Sequence, residues 1–217
     1  MKFILDNFSI VILAESHNPS ILNPDFLKNE GIVDPSFTAT NIFCTQPVSQ
    51  IAYQEGIIIT TEFEKLQLVD AVSSRIPFDS PIPDIATKYV RKLPFVRYKA
   101  VGLNFTGHYG FTDPKAAINY LPNFFLKEGK WSSYGAGMPM IGIKFTYSFP
   151  TYKCLISVDT AETIPPDQTE KGAVIVTANY HSDLNNLDDI AAFIDDWKKH
   201  YNHLGKIIDD TFPEKKL

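Results

Sequence analysis

LDDIAAFIDDWKKHYNHLGKIID, residues 187–209, places Ile190, Phe193, Ile194, Trp197, Tyr201, Leu204 and Ile208 at three- and four-residue steps. That spacing gathers side chains on one face of an α-helix. Asn186 stands where its side chain can accept a free backbone N–H of the first turn. Asp188 and Asp189 fall where the helix dipole favours negative charge. Lys198, Lys199, Asp195, Asp196 and Lys206 lie mostly off the apolar stripe. A stripe this long and this aromatic needs an apolar layer to cover. The reading is one long closing helix laid on a sheet, with Trp197 buried between them.

The sheet is sought in the segments with period two. Working back from the helix, AVIVTANYH (173–181) is a strand, preceded by a polar loop at 162–172 and a strand at 152–160. Ile141, Ile143, Phe145, Tyr147 and Phe149 alternate with small or polar residues. In the long strand 95–111, Val101, Leu103 and Phe105 share one face, and Val96, Tyr98 and Ala100 the other. Thr112 caps a helix in which Pro122 forces a kink or split. Earlier in the chain, 48–53, 57–62 and 65–70 form a meander with a hairpin at Gln54-Glu55-Gly56. Ser80 caps a helix carrying Ile82, Ile85, Tyr89 and Leu93. Residues 8–16 are a buried first strand, and Asn23 caps a short helix that begins at Pro24 and stops at Gly31. Residues 32–46 read as a long connection.

The fold class is therefore α+β: a mainly antiparallel sheet with helices on one face, in a single domain. Residues 8–93 and 95–209 both run strand, helix, three strands, helix. A tandem βαβββα duplication sharing one sheet is the corresponding expectation. Phe26-Leu27-Lys28-Asn29-Glu30-Gly31 also resembles Phe125-Leu126-Lys127-Glu128-Gly129.

With 44% hydrophobic and 21% charged residues, the 217-residue chain has a globular rather than a disordered composition. Its net charge of −5 and lack of a Lys/Arg cluster argue against nucleic acid as a partner. Asp6 and Asn7 interrupt the apolar start, so a signal peptide is not read there. No segment has the length of a membrane span. Two cysteines outside any C-x-x-C pair fit a reducing cytoplasm.

The chemistry-bearing residues are few. His200 and His203, three apart on the closing helix, read as its solvated flank. The competing metal role lacks a third ligand, so neither a metal site nor a cofactor is expected. Cys154 alternates with Ile156 and Val158 as a small buried hydrophobe. Cys44 lies in an undetermined loop. His181, Asp183, Asp188 and Asp189 fit a strand-to-helix loop with capping acids. Gly135 and Gly137 lack the strand–glycine–helix context of a dinucleotide site, and no G-x-S-x-G, P-loop or H-E-x-x-H is present.

HNPSILNPDFL (17–27) is the most distinctive stretch. Its two Asn-Pro turns can lock a crossover from strand to helix. The functional alternative is a partner-binding tip formed by His17, Asn18, Leu22, Phe26 and Leu27. His108 and Tyr109, at the end of a strand, are candidates for lining a pocket. This opening, the strand centre Gly102-Leu103-Asn104-Phe105, and a final strand followed by an acidic-start helix bearing Trp197, His200 and Phe212 resemble a sporadically distributed family of uncharacterised bacterial proteins. The resemblance implies no reaction, cofactor or catalytic residue.

The functional reading is a non-catalytic protein-interaction or regulatory subunit of a bacterial multi-protein system, by analogy one of defence or stress. Its partner would be another protein or a second copy of the chain. A small-molecule or peptide binder with a cavity between sheet and helices is the competing reading. A hydrolase using a strand-end histidine, His17 or His108, is the third.

Overall fold

The protein is described from a computed structural model covering residues 2–136, 139–161 and 171–212. The strands are β1 (Ile4–Ala14), β2 (Ala39–Cys44), β3 (Val48–Tyr53), β4 (Ile57–Glu62), β5 (Lys65–Asp70), β6 (Tyr98–Phe111), β7 (Gly142–Ser148), β8 (Lys153–Ala161) and β9 (Gly172–Asp183). The helices are α1 (Pro24–Asn29), α2 (Ile82–Lys92), α3 (Pro114–Phe125), α4 (Leu187–Asp195) and α5 (Trp197–Thr211). The strands join in one sheet of order β2-β3-β4-β5-β1-β6-β9-β8-β7, and every neighbouring pair is antiparallel. This is the α+β architecture that the alternating segments predict. On either side of the central β1–β6 pair, the order outward is β5, β4, β3 and β9, β8, β7. β2 is added at one edge alone.

Alternation divides the sheet into two unlike faces. Phe8, Ile10 and Ile12 stand level with Phe105, Leu103 and Val101, and those with Ala178, Tyr180 and Ser182. The helices cover this face. The Phe8 and Trp197 rings lie 5.7 Å apart, Phe105 and Tyr201 5.4 Å, and Phe125 and Phe145 5.8 Å. The other face carries Ser9, Val11, Asn104, Thr106, Thr177 and Asn179. There Asn179 donates to Asn104 at 2.6 Å and Gln50 donates to Thr60 at 3.0 Å. Among the described residues no helix is long and apolar enough to cross a membrane.

The closing helix departs from its reading. It breaks at Asp196, whose ψ of 7° ends α4 and whose backbone opens α5. The apolar face nevertheless continues through the break, because Ile190, Ile194, Trp197, Leu204 and Ile208 are all buried. Asn186 caps α4 as its position predicts, accepting from the N–H groups of Asp188 and Asp189.

The other differences are local. α3 is capped by Asp113 rather than Thr112, and it continues to Phe125 with Pro122 inside it. The helix expected to be capped by Ser80 begins at Ile82 without a side-chain cap. Most of the polar loop at 162–172, and Gly137, lie outside the described residues.

Ser80 serves another group. Its hydroxyl donates to Asp70 at 2.7 Å. The fully buried Asp70 also accepts two bonds from Arg75, at 2.8 and 2.9 Å, and one from the N–H of Val72. One carboxylate thus organises the connection from β5 to α2. Asp70→Ala is expected to lower stability by about 2 kcal/mol or more, since charge-assisted bonds are lost and three partly buried donors lose their acceptor. Urea denaturation checks this; an unchanged midpoint would remove Asp70 from that role.

Candidate interaction surface

The turn-rich stretch 17–27 folds inward. Leu22 and Leu27 are fully buried in the core, and His17 is 1% exposed. This corrects the reading of Leu22 and Leu27 as partner-facing tips. The Asn-Pro turns explain the burial. Asn18 accepts from the N–H and hydroxyl of Ser20, and Asn23 accepts from the N–H of Phe26 at 2.8 Å. These bonds close two tight turns that swing the leucines beneath the helices. Asn18 stays exposed and Phe26 is half-buried. The N–H of His17 donates to Phe63 O, and its Nε2 lies 3.2 Å from the carbonyl of Ile12, to which it donates. Burial lowers its pKa. Leu27→Ser is accordingly expected to destabilise the monomer by at least about 2 kcal/mol, whereas Asn18→Ala leaves the core untouched. Thermal denaturation of the two variants separates core from surface here.

His108 and Tyr109 cannot line one pocket, because successive strand residues point to opposite faces. His108 Nδ1 lies 2.6 Å from Asp6 Oδ2. Tyr109 packs on the helix side against the rings of Phe3, Tyr120 and Phe212. The same alternation separates His181 and Asp183, 3.0 Å apart, from Ser182 between them. The Ser182 hydroxyl donates to the carbonyl of Thr151. The residue types of a hydrolytic triad are thus consecutive without being assembled.

The expectation that His200 and His203 form a solvated flank is also corrected. His200 is 2% exposed, and its ring nitrogens have no hydrogen-bond partner among the described residues. It is enclosed by the rings of Tyr152, Tyr180 and Phe193, each 4.8 Å away. Burial pushes its pKa down to about 4. His203 Nδ1 lies 2.9 Å from the Tyr180 hydroxyl. Burial raises the Tyr180 pKa, so the phenol keeps its proton. Both positions share the apolar stripe because the i, i+3 step from Trp197 to His200 follows the buried face. Cys154, beneath them, is buried with its thiol pushed up to about 11, the behaviour of a packed hydrophobe rather than a nucleophile. Among the described residues no group of three or more His, Cys, Asp or Glu side chains is arranged to hold a metal ion.

Around His200 these rings fill the space between sheet and helix. A groove of about 620 Å³ is lined by Glu15, Ser16 and residues 92–97.

An unprotected edge lies at β2, in the region 32–46 that reads as a connection. Ile42 is 53% exposed and Phe43 52%, although they point to opposite faces of the sheet. Cys44 is also exposed. The six residues Ala39–Cys44 carry no charge. The register pairs Ile42 with Ile51, Phe43 with Gln50 and Cys44 with Ser49. Thr45 donates to Val48 O at 2.9 Å. Counting back by the alternation of an antiparallel ladder, Phe43 bonds inward to β3. Ile42 and Cys44 therefore direct their N–H and C=O groups toward the free edge. Beside the β2–β3 turn, Pro47, Val48, Glu62, Glu64 and the exposed Phe63 line a further groove of about 540 Å³. The opposite edge, β7, carries Lys144, a type of residue that discourages edge pairing.

Compared with known proteins, the chain matches no family model and no curated protein.

Proposed function

We propose that the chain is a non-catalytic protein-interaction subunit, accessory to or regulating a multi-protein system, that adds a partner strand to β2. The observation that carries this reading is the edge itself: uncharged, with the exposed apolar side chains of Ile42 and Phe43 on opposite faces, and with outward backbone groups that have no strand partner among the described residues. A strand with solvent on one face is ordinarily apolar on one side only. One that is apolar on both sides suits the interior of a larger sheet. Strand addition joins main-chain hydrogen bonds to side-chain pockets in this way.

The matched order β5-β4-β3 and β9-β8-β7 around the central pair supports a tandem duplication as part of the same proposal. In that scheme β2 has no counterpart among the described residues of the second half, which marks it as an addition to the shared plan.

Native mass spectrometry of the tagged chain purified from its own cells tests the reading. A stoichiometric protein complex is expected for the wild type, lost in Ile42→Lys while the thermal midpoint is retained. A complex that persists unchanged in that variant would contradict strand addition at β2.

A further inference from the structure

We infer that the strand added to β2 is the β2 of a second copy of this chain, paired antiparallel about a two-fold axis through Phe43; this rests on the reading of β2 as an interaction edge. A two-fold axis brings each residue against its own kind or against a near neighbour on the same strand. An edge strand with a charged residue near the axis would bring like charges together in such a pairing, as β7 with Lys144 would. Residues 39–44 would not, because none of them is charged.

The outward-facing backbone groups restrict the register. Ile42 and Cys44 hold the free hydrogen-bonding positions, so they must fall opposite outward-facing residues of the partner. Centring the axis on Ile42 would draw in Thr40, inside the bulge between Ala39 and Asn41. Centring it on Cys44 would run into the turn at Gln46 and Pro47. Centring it on Phe43 places each Ile42 opposite the Cys44 of the other copy and Phe43 opposite Phe43. Apolar side chains then meet apolar side chains at these positions, Ile42 and Cys44 on one face and Phe43 on the other, and Asn41 falls opposite Thr45. The two sheets become one continuous antiparallel sheet, and the edge disappears.

Charge reversal on the axis tests both the partner and the register. Phe43 is half exposed in the monomer, so Phe43→Lys and Phe43→Glu are expected to fold with the wild-type circular dichroism spectrum. Sedimentation equilibrium at micromolar concentration should show the wild type as a dimer and each variant alone as a monomer, because like charges directly opposite on paired strands repel. Mixing the two variants should restore a dimer holding one chain of each. A monomeric wild type, a variant that remains dimeric, or a mixture that fails to associate would overturn the inference. If the wild type is monomeric while the native-cell complex is still lost with Ile42→Lys, the added strand belongs to another protein and the interaction reading stands. If that complex is also indifferent to Ile42→Lys, both fail.

Discussion

Replacing Trp197 with alanine is expected to lower the unfolding free energy by about 3–5 kcal/mol, the range for large-to-small changes in a packed core. Trp197 is buried at the junction of α4 and α5. Its ring lies 5.7 Å from that of Phe8 on the central strand β1 and 6.0 Å from that of Phe78, which covers it from outside. No neighbouring element can close the space without lifting the closing helices from the sheet. Phe78 is itself more than half exposed, so Phe78→Ala is expected to cost less than Trp197→Ala. Urea denaturation of the two variants gives the comparison. A Trp197→Ala midpoint equal to that of the wild type would contradict a core organised around the closing helices.

His200 is expected to make the protein acid-sensitive by an amount that one substitution removes. Desolvation by burial is the main cause of its low folded-state pKa of about 4, against the ordinary 6.5; Asp196 pulls the value back up, while Lys199 and His203 push it down further. Between those two values the unfolded chain binds a proton that the folded chain excludes, so stability rises with pH. The contribution is fully present above pH 6.5, falls as pH drops toward 4, and changes no further below that. The whole interval corresponds to about 3 kcal/mol. His200→Phe fills the aromatic enclosure without a titrating group and removes two unpaired ring nitrogens. The variant should therefore gain on the wild type by a margin that widens from pH 7 to pH 4. Parallel curves for the two proteins over that interval would show that His200 is not excluded from protonation in the fold.

Much of the architecture was legible because burial on one face of a strand or helix leaves a periodic trace. The alternation in 57–62, 65–70 and 141–149 marks the strands found there, and the stripe from Ile190 to Ile208 marks the buried face but not the break at Asp196 that divides it into two helices. The missed features leave no such trace. β2 reads as a connection because its two large apolar residues, Ile42 and Phe43, are adjacent, so the segment has no alternation to detect. His200 lies on the buried stripe, but a polar residue type concealed its burial. Leu22 and Leu27 looked exposed because proline turns break the period that would mark them as core. His108 and Tyr109 were joined as a candidate pocket by adjacency in sequence, which within a strand guarantees opposite faces. The β2 edge, the centre of the functional reading, depends on which strands neighbour one another. A sheet order that leaves β2 outermost is a tertiary property with no local signal.

The most direct measurement is the amide hydrogen exchange of Ile42 and Cys44 in the assembled protein, resolved by residue. In a β2 paired along its outer edge both amides are hydrogen-bonded, and they should exchange as slowly as those of the interior strands β3 and β4. In Phe43→Lys, which is expected to leave the edge open, both should exchange rapidly while β3 and β4 stay protected. Rapid exchange at Ile42 and Cys44 in the wild-type assembly, matching the variant, would contradict the claim that this edge is where the protein meets its partner.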